Sequence, residues 1–160
     1  MESVYLETSF ISYLVALPSR DLVIAAHQQI TSEWWNTQRG KFDCFISQFV
    51  IDEASMGDQE ERRRRLEIVK NLNALEVTAE AERLAGHIVK SGIMPQKAMN
   101  DAAHIAVAAI HGIGYILTWN CRHLANAHIL KKVRAVCLEN GYQAPDICTP
   151  EELMEDNDNG

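Results

Sequence analysis

Four side chains with oxygen donors lie where they could act together: Glu7, Glu53, Asp101 and Asn120. Carboxylate, amide and water oxygens suit Mg²⁺ or Mn²⁺, which take about six such ligands. A cation of this kind can lower the pKa of a bound water, hold a phosphate and neutralise the charge that develops in an in-line displacement. The set therefore indicates metal-dependent phosphodiester hydrolysis by an activated water, with no covalent intermediate.

The local sequence predicts where each of these side chains lies. Glu7 follows a short buried strand at 4–6, and Glu53 belongs to a short helix after a strand at 42–49. Asn120 follows a strand at 115–119, and Asp101 lies near the start of a helix at 96–110. Ligands of parallel α/β sheets bind at the carboxyl ends of the strands. We therefore expect the four side chains to meet in one cleft.

The remaining segments continue the alternation of helices with short apolar strands. Further helices are predicted at 10–17, 21–40, 59–72, 78–92 and 129–140, with strands at 75–77 and near 147 and a helix start at 149–152. This order predicts an α/β fold, a central parallel sheet covered on both faces by helices.

Length and charge predict one domain with an acidic tail. A chain of 160 residues has room for a single domain, which we place at 1–150, followed by a partly disordered acidic segment at 151–160. That final segment holds five acids and no base, so it accounts for most of the net charge of −7. The charge therefore does not exclude a nucleic-acid partner.

Cysteine spacing and hydropathy exclude several other classes. The four cysteines stand singly, without a Cys-x-x-Cys pair, so neither a zinc cage nor a disulfide framework is indicated. The apolar run at 10–17 is too short to span a bilayer, and the first residues lack the basic region of a signal peptide. We expect a cytoplasmic protein with no membrane partner.

Four segments taken in order resemble a known family. They are Val4-Tyr5-Leu6-Glu7-Thr8-Ser9, then Glu53, then Asn100-Asp101-Ala102-Ala103-His104-Ile105-Ala106, and finally Leu117-Thr118-Trp119-Asn120-Cys121-Arg122-His123-Leu124. Together they are similar to the successive motifs of PIN-domain proteins of the VapC toxin type, over residues 3–150.

The resemblance implies a PIN-like α/β/α sandwich and a Mg²⁺- or Mn²⁺-dependent endoribonuclease. Its expected activity is cleavage of single-stranded RNA to 5′-phosphate and 3′-hydroxyl ends, as the toxin of a type II toxin–antitoxin system. The expected partners are a cognate antitoxin and a second copy of the chain. Glu7, Glu53, Asp101 and Asn120 would be the catalytic residues and would hold the metal directly or through water.

Two positions depart from the usual motifs. Glu7 stands where the family usually has Asp, and its extra methylene requires the metal or the rotamer to shift. Asn120 stands where Asp is common, which removes one charge and weakens a second metal position.

Neighbouring polar residues have two interpretations each. Ser9 and Thr118 could donate hydrogen bonds to the carboxylates or metal-bound waters, or could serve only turns and caps. Arg122 and His123 could contact substrate phosphate or only solvent. His104 is expected to hydrogen-bond a neighbour rather than bind metal, although it lies one turn beyond Asp101.

Two further features could indicate nucleic-acid binding. The four arginines at 62–65 point in different directions on a helix and are flanked by acids, so we expect a solvated face. Trp34 and Trp35 could stack bases or belong to a protein interface, and at least one is expected in the core.

Two other functions remain open from the sequence. A catalytically silent PIN scaffold that binds RNA or protein would lack metal-dependent cleavage. A receiver or phosphotransfer domain would need a phospho-accepting Asp at a strand end, where this sequence has Glu7 and Glu53.

Overall fold

The computed structural model describes residues 1–155, which form five strands and seven α-helices. The strands are β1 (Glu2–Leu6), β2 (Phe42–Ser47), β3 (Asn73–Leu75), β4 (Tyr115–Leu117) and β5 (Asp146–Cys148). The helices are α1 (Thr8–Val15), α2 (Leu22–Thr37), α3 (Gln48–Ala54), α4 (Gln59–Val69), α5 (Ala79–Lys90), α6 (Met99–Ile110) and α7 (Ala127–Glu139). Short 3₁₀ turns at Arg39–Lys41 and Gln96–Ala98 precede β2 and α6.

The strands form one parallel sheet in the order β3-β2-β1-β4-β5. Val4 of β1 is in register with Cys44 of β2 on one side and with Tyr115 of β4 on the other. The strand order therefore reverses at β1, and the carboxyl ends of its neighbours flank a crevice there. The α/β sandwich with a central parallel sheet, predicted from the sequence, is confirmed.

The core is built around β1 and α6. Val4, Tyr5 and Leu6 are fully buried, as expected for the central strand of a sheet covered on both faces. Helix α6 is buried from Ala102 to Ala109 because it is apolar on every side and rich in alanine. Asp101 lies in the first turn of this helix, at the edge of the core.

Several element boundaries differ from the predicted ones. Strand β2 ends at Ser47, because Gln48 and Phe49 already belong to α3, and Glu53 therefore lies in the second turn of that helix. Strand β3 spans Asn73–Leu75, since those residues pair with the last three residues of β2. Strand β4 ends at Leu117, so Thr118, Trp119 and Asn120 form the loop that leaves it.

Side-chain and glycine caps define the start of α2 and the end of α7. Asp21 accepts hydrogen bonds from the backbone N–H groups of Val23 and Ile24 at the start of α2. Gly141 has a positive φ of 85°, and the pair of hydrogen bonds that closes α7 around it defines a Schellman motif.

The predicted helix start at Thr149 is only a turn over residues 150–153. Glu152 accepts a 3.0 Å hydrogen bond from the Thr149 backbone, and Leu153 accepts one of 3.1 Å from the indole N–H of Trp34. Half of the acidic segment expected to be partly disordered, residues 156–160, lies outside the described residues.

The solvated face predicted for the arginine run is wrong for two of its members. Arg65 is only 9 % exposed, and its guanidinium donates to the backbone carbonyls of Ala54 and Met56. Arg64 donates to the carbonyl of Val15, the last residue of α1. Carbonyls in and just after the last turn of a helix lack an intrahelical partner, and these two side chains donate to three of them.

Trp34 is fully buried, which confirms that at least one tryptophan belongs to the core. Over residues 1–155, no helix combines the length and the hydropathy that a membrane span requires.

Candidate active site

Glu7 lies at the carboxyl end of β1 and forms the N-cap of α1. Its Oε2 accepts hydrogen bonds from the Ser9 backbone at 2.9 Å, from the Ser9 hydroxyl and from the Thr118 hydroxyl at 2.9 Å. Thr118 comes from the end of the neighbouring strand β4. The two hydroxyls predicted to support a carboxylate therefore both hold Glu7.

The second oxygen of Glu7 is available to a ligand. No described hydrogen bond reaches Oε1, although the residue is only 5 % exposed. Among the residues that the structure describes, Gln38 has the only fully buried side-chain polar atom without a partner, so Oε1 of Glu7 keeps a small exposed area. Burial raises the pKa of Glu7, and the charge of His104 and the hydroxyl hydrogen bonds oppose that shift.

Glu53 is presented by α3 beside the first turn of α1. Its Oε1 accepts a 2.9 Å hydrogen bond from the Thr8 hydroxyl and lies 2.5 Å from Nε2 of His104. Burial would raise the pKa of Glu53, but the hydrogen bond and charge of His104 outweigh it and lower that pKa. The carboxylate is therefore held in its ionised form.

His104 is fully buried and connects Glu53 to the sheet. Its Nδ1 lies 2.6 Å from the Tyr5 hydroxyl, which lies 2.7 Å from the hydroxyl of Ser47. Burial lowers the pKa of His104, yet the Glu53 hydrogen bond and the charges of Glu7, Glu53 and Asp101 raise it overall. The expectation that His104 hydrogen-bonds a neighbour is confirmed.

Asp101 is held by two residues of the loop after β4. Its Oδ1 accepts a 3.1 Å hydrogen bond from the Asn120 amide, and its Oδ2 lies 3.2 Å from Nδ1 of His123. The Asn120 oxygen accepts the backbone N–H groups of Arg122 and His123. His123 thus contacts a carboxylate, which is neither of the two contacts, substrate phosphate or solvent, considered from the sequence.

The candidate residues form one connected region. The hydroxyl of Thr118 donates to Glu7 and accepts from the backbone of Asn120, which in turn holds Asp101. Thr8, next to Glu7 in the chain, holds Glu53. Glu7, Glu53 and Asp101 therefore belong to one hydrogen-bonded region at the crevice beside β1.

The donor set fits a hard divalent cation. Three carboxylates from separate elements supply oxygens, and one oxygen of Glu7 carries no hydrogen bond. Within residues 1–155, no three His, Cys, Asp or Glu side chains are already arranged to hold an ion. Mg²⁺ usually keeps several waters and uses one or two carboxylates, so a complete protein cage is not required.

Sequence reasoning missed three contributors to this region. Thr8, Tyr5 and Ser47 hold Glu53 directly or through His104. A signal existed for Tyr5, because a tyrosine within an otherwise apolar central strand needs a partner for its hydroxyl.

A parallel sheet whose order reverses at β1, with Glu7, Glu53 and Asp101 held in one hydrogen-bonded region there, defines an α/β protein with an acidic site at its strand ends. The PIN domain family model matches residues 4–127. The chain belongs to the PIN-domain family.

Solved structures with the same fold extend the comparison. VapC20 of Mycobacterium tuberculosis, a sarcin–ricin loop cleaving toxin, shares 17% identity with a TM-score of 0.59, over 75% of this chain and 92% of that chain. VapBC2 of Rickettsia felis, bound to a promoter DNA fragment, shares 14% identity with a TM-score of 0.60, over 91% of this chain and 97% of that one. FitAcB of Neisseria gonorrhoeae shares 15% identity with a TM-score of 0.60, over 92% of this chain and 98% of that chain. No curated protein sequence matches the chain.

Proposed function

We propose that this protein is a Mg²⁺- or Mn²⁺-dependent endoribonuclease that cleaves single-stranded RNA, and that it is the toxin of a type II toxin–antitoxin system in the cytoplasm. The observation that carries the proposal is the hydrogen-bonded network beside β1 that joins Glu7, Glu53 and Asp101. Membership of the PIN-domain family and the likeness to a toxin that cleaves the sarcin–ricin loop support an RNA substrate.

Glu7, Glu53 and Asp101 are the residues that would hold the metal. A divalent cation bound there would polarise the scissile phosphodiester and acidify the attacking water. Asn120 would contribute through a water, because its oxygen already accepts two backbone N–H groups. Ser9 and Thr118 fix one oxygen of Glu7 and so aim the other into the crevice.

The remaining residues keep the carboxylates in place while the substrate binds. His104 and Thr8 hold Glu53, and Asn120 and His123 hold Asp101. Hydrolysis by water with the 3′ oxygen as leaving group gives 5′-phosphate and 3′-hydroxyl ends.

The proposed partners are an antitoxin and a second copy of the chain. The likeness to VapBC2 on promoter DNA and to FitAcB supports an assembly with a DNA-binding antitoxin. The test is expression of the protein alone and with the product of a small adjoining reading frame. Toxicity that the neighbour suppresses is expected, and toxicity that it leaves unchanged would contradict the antitoxin assignment.

The enzymatic proposal is tested by incubating purified protein with end-labelled single-stranded RNA in Mn²⁺, in Mg²⁺ and in excess chelator. Cleavage with either metal, 5′-phosphate ends and no cleavage in chelator are expected. Undiminished cleavage in chelator, after contaminating nuclease is excluded, would contradict the mechanism. Intact RNA under every condition would favour the silent PIN scaffold.

A further inference from the structure

Three aromatic rings cluster beside the carboxylates. His27 of α2 stacks on Trp119 with ring centroids 4.1 Å apart and planes 11° from parallel. Tyr13 of α1 lies 5.9 Å from Trp119 and 6.2 Å from His27, tilted against both. All three rings are partly exposed. We call Tyr13, His27 and Trp119 the aromatic cluster.

The aromatic cluster is joined directly to the candidate site. Trp119 stands between Thr118, which holds Glu7, and Asn120, which holds Asp101. Its backbone N–H donates a 2.8 Å hydrogen bond to the Ser9 hydroxyl, the group that also donates to Glu7. The backbone of Trp119 is therefore part of the network that holds the carboxylates, and its ring projects from the same loop.

The stacked pair is held rigidly. The indole N–H of Trp119 donates a 2.7 Å hydrogen bond to the buried hydroxyl of Thr31, and that hydroxyl donates at 2.6 Å to the backbone carbonyl of His27. One hydroxyl thus fixes both members of the stack. Because the indole N–H is already used and His27 covers one face of the indole, Trp119 offers a ligand its remaining ring surface and no hydrogen-bond donor from the side chain.

We propose that the aromatic cluster is a nucleobase-stacking subsite for the RNA strand, adjacent to the scissile phosphate. The inference rests on the proposed function and names how that site would hold its substrate. Stacking on aromatic rings is tolerant of base identity because every base has a π face. The subsite therefore requires a base at its position of the strand without selecting which base.

The test uses a labelled RNA 8-mer that the wild type cleaves with Mn²⁺, and measures its binding by fluorescence anisotropy in chelator. An abasic residue is placed at each position of the strand in turn. At one or two neighbouring positions the abasic residue is expected to weaken binding by roughly 5- to 100-fold, and exchange of one base for another there by less than about threefold.

Protein variants report on the same contact. His27→Ala and Tyr13→Ala are expected to weaken binding of the intact strand by roughly 5- to 100-fold, but not binding of the strand that is abasic at the sensitive position. His27→Phe, which keeps the ring and removes the ionisable nitrogens, should bind like wild type. The matched controls are His87→Ala and Tyr142→Ala. The two residues line one cavity, and Tyr142 also lines a second cavity with Glu2. Glu2 lies at the amino end of β1, whereas the candidate site lies at its carboxyl end. Neither control should change binding.

The subsite would be overturned if binding were the same for every abasic position, or if His27→Ala and Tyr13→Ala bound RNA like the controls. Cleavage by the wild type would still uphold the proposed function. The cluster would then be a protein-contacting or purely structural surface. Equal loss in His27→Ala and His27→Phe would assign His27 to phosphate contact and would also overturn stacking. A wild type that neither binds nor cleaves RNA would overturn both proposals.

Discussion

The side-chain amide of Asn120 donates a 3.1 Å hydrogen bond to Oδ1 of Asp101 while its own oxygen accepts the backbone N–H groups of Arg122 and His123. Because backbone donors fix the oxygen, the amide nitrogen must face Asp101. A neutral donor here stabilises the Asp101 carboxylate in the absence of metal, which an aspartate at the same position could not do.

Asn120→Asp should therefore lower the stability of the metal-free protein and increase its response to metal. The new carboxylate keeps the backbone hydrogen bonds but faces Asp101 without the N–H, and repulsion between such neighbours costs about 1–4 kcal/mol. Thermal melts with and without Mn²⁺ measure both effects. A variant as stable as wild type without metal would show that this hydrogen bond does not hold Asp101.

His104→Leu should destabilise the protein by about 2–4 kcal/mol, because the Tyr5 hydroxyl and the Glu53 carboxylate each lose their hydrogen bond to the fully buried imidazole. Urea unfolding measures the loss, and calorimetric Mn²⁺ titration should show weaker binding, since Glu53 is no longer positioned. The control His87→Leu replaces an exposed histidine of α5 and should change neither. Unchanged Mn²⁺ affinity in a folded His104→Leu protein would show that His104 does not position Glu53 for metal binding.

Arg65→Ala should cost about 2–4 kcal/mol of unfolding free energy, because two carbonyls at the end of α3 lose a charged donor. Arg63→Ala is the matched control on the same helix, since that side chain is 65% exposed and pairs only with an exposed glutamate. Its melting temperature should equal that of wild type. Equal melting of both variants would mean that the Arg65 contacts contribute nothing measurable.

The sequence predicted the sheet and the placement of the acids better than the contacts between them. Glu7, Glu53 and Asn120 follow strands whose apolar runs are visible locally, and the rule that ligands gather at parallel strand ends brings them together. Those inferences need only short-range periodicity and topology.

The missed contacts join residues far apart in the chain. Tyr5 and His104 are 99 residues apart and Trp119 and Thr31 are 88 apart, so no local pattern pairs them. Arg65 was placed in solvent because its charged neighbours suggested an exposed face. Only the packing of α4 on α3 reveals the buried carbonyls that it serves.

The central claim is that Asp101, with Glu7 and Glu53, binds a divalent metal that the reaction needs. The most direct measurement is the Mn²⁺-induced shift in melting temperature of wild type and Asp101→Asn, made on samples that are also assayed for RNA cleavage. Wild type should gain about 5–10 °C at Mn²⁺ about a hundredfold above its Kd. Asp101→Asn should melt no lower than wild type without metal, lose most of that gain and cleave no RNA, because crowded carboxylates repel one another until metal binds. An active Asp101→Asn protein whose Mn²⁺ shift equals that of wild type would contradict the account.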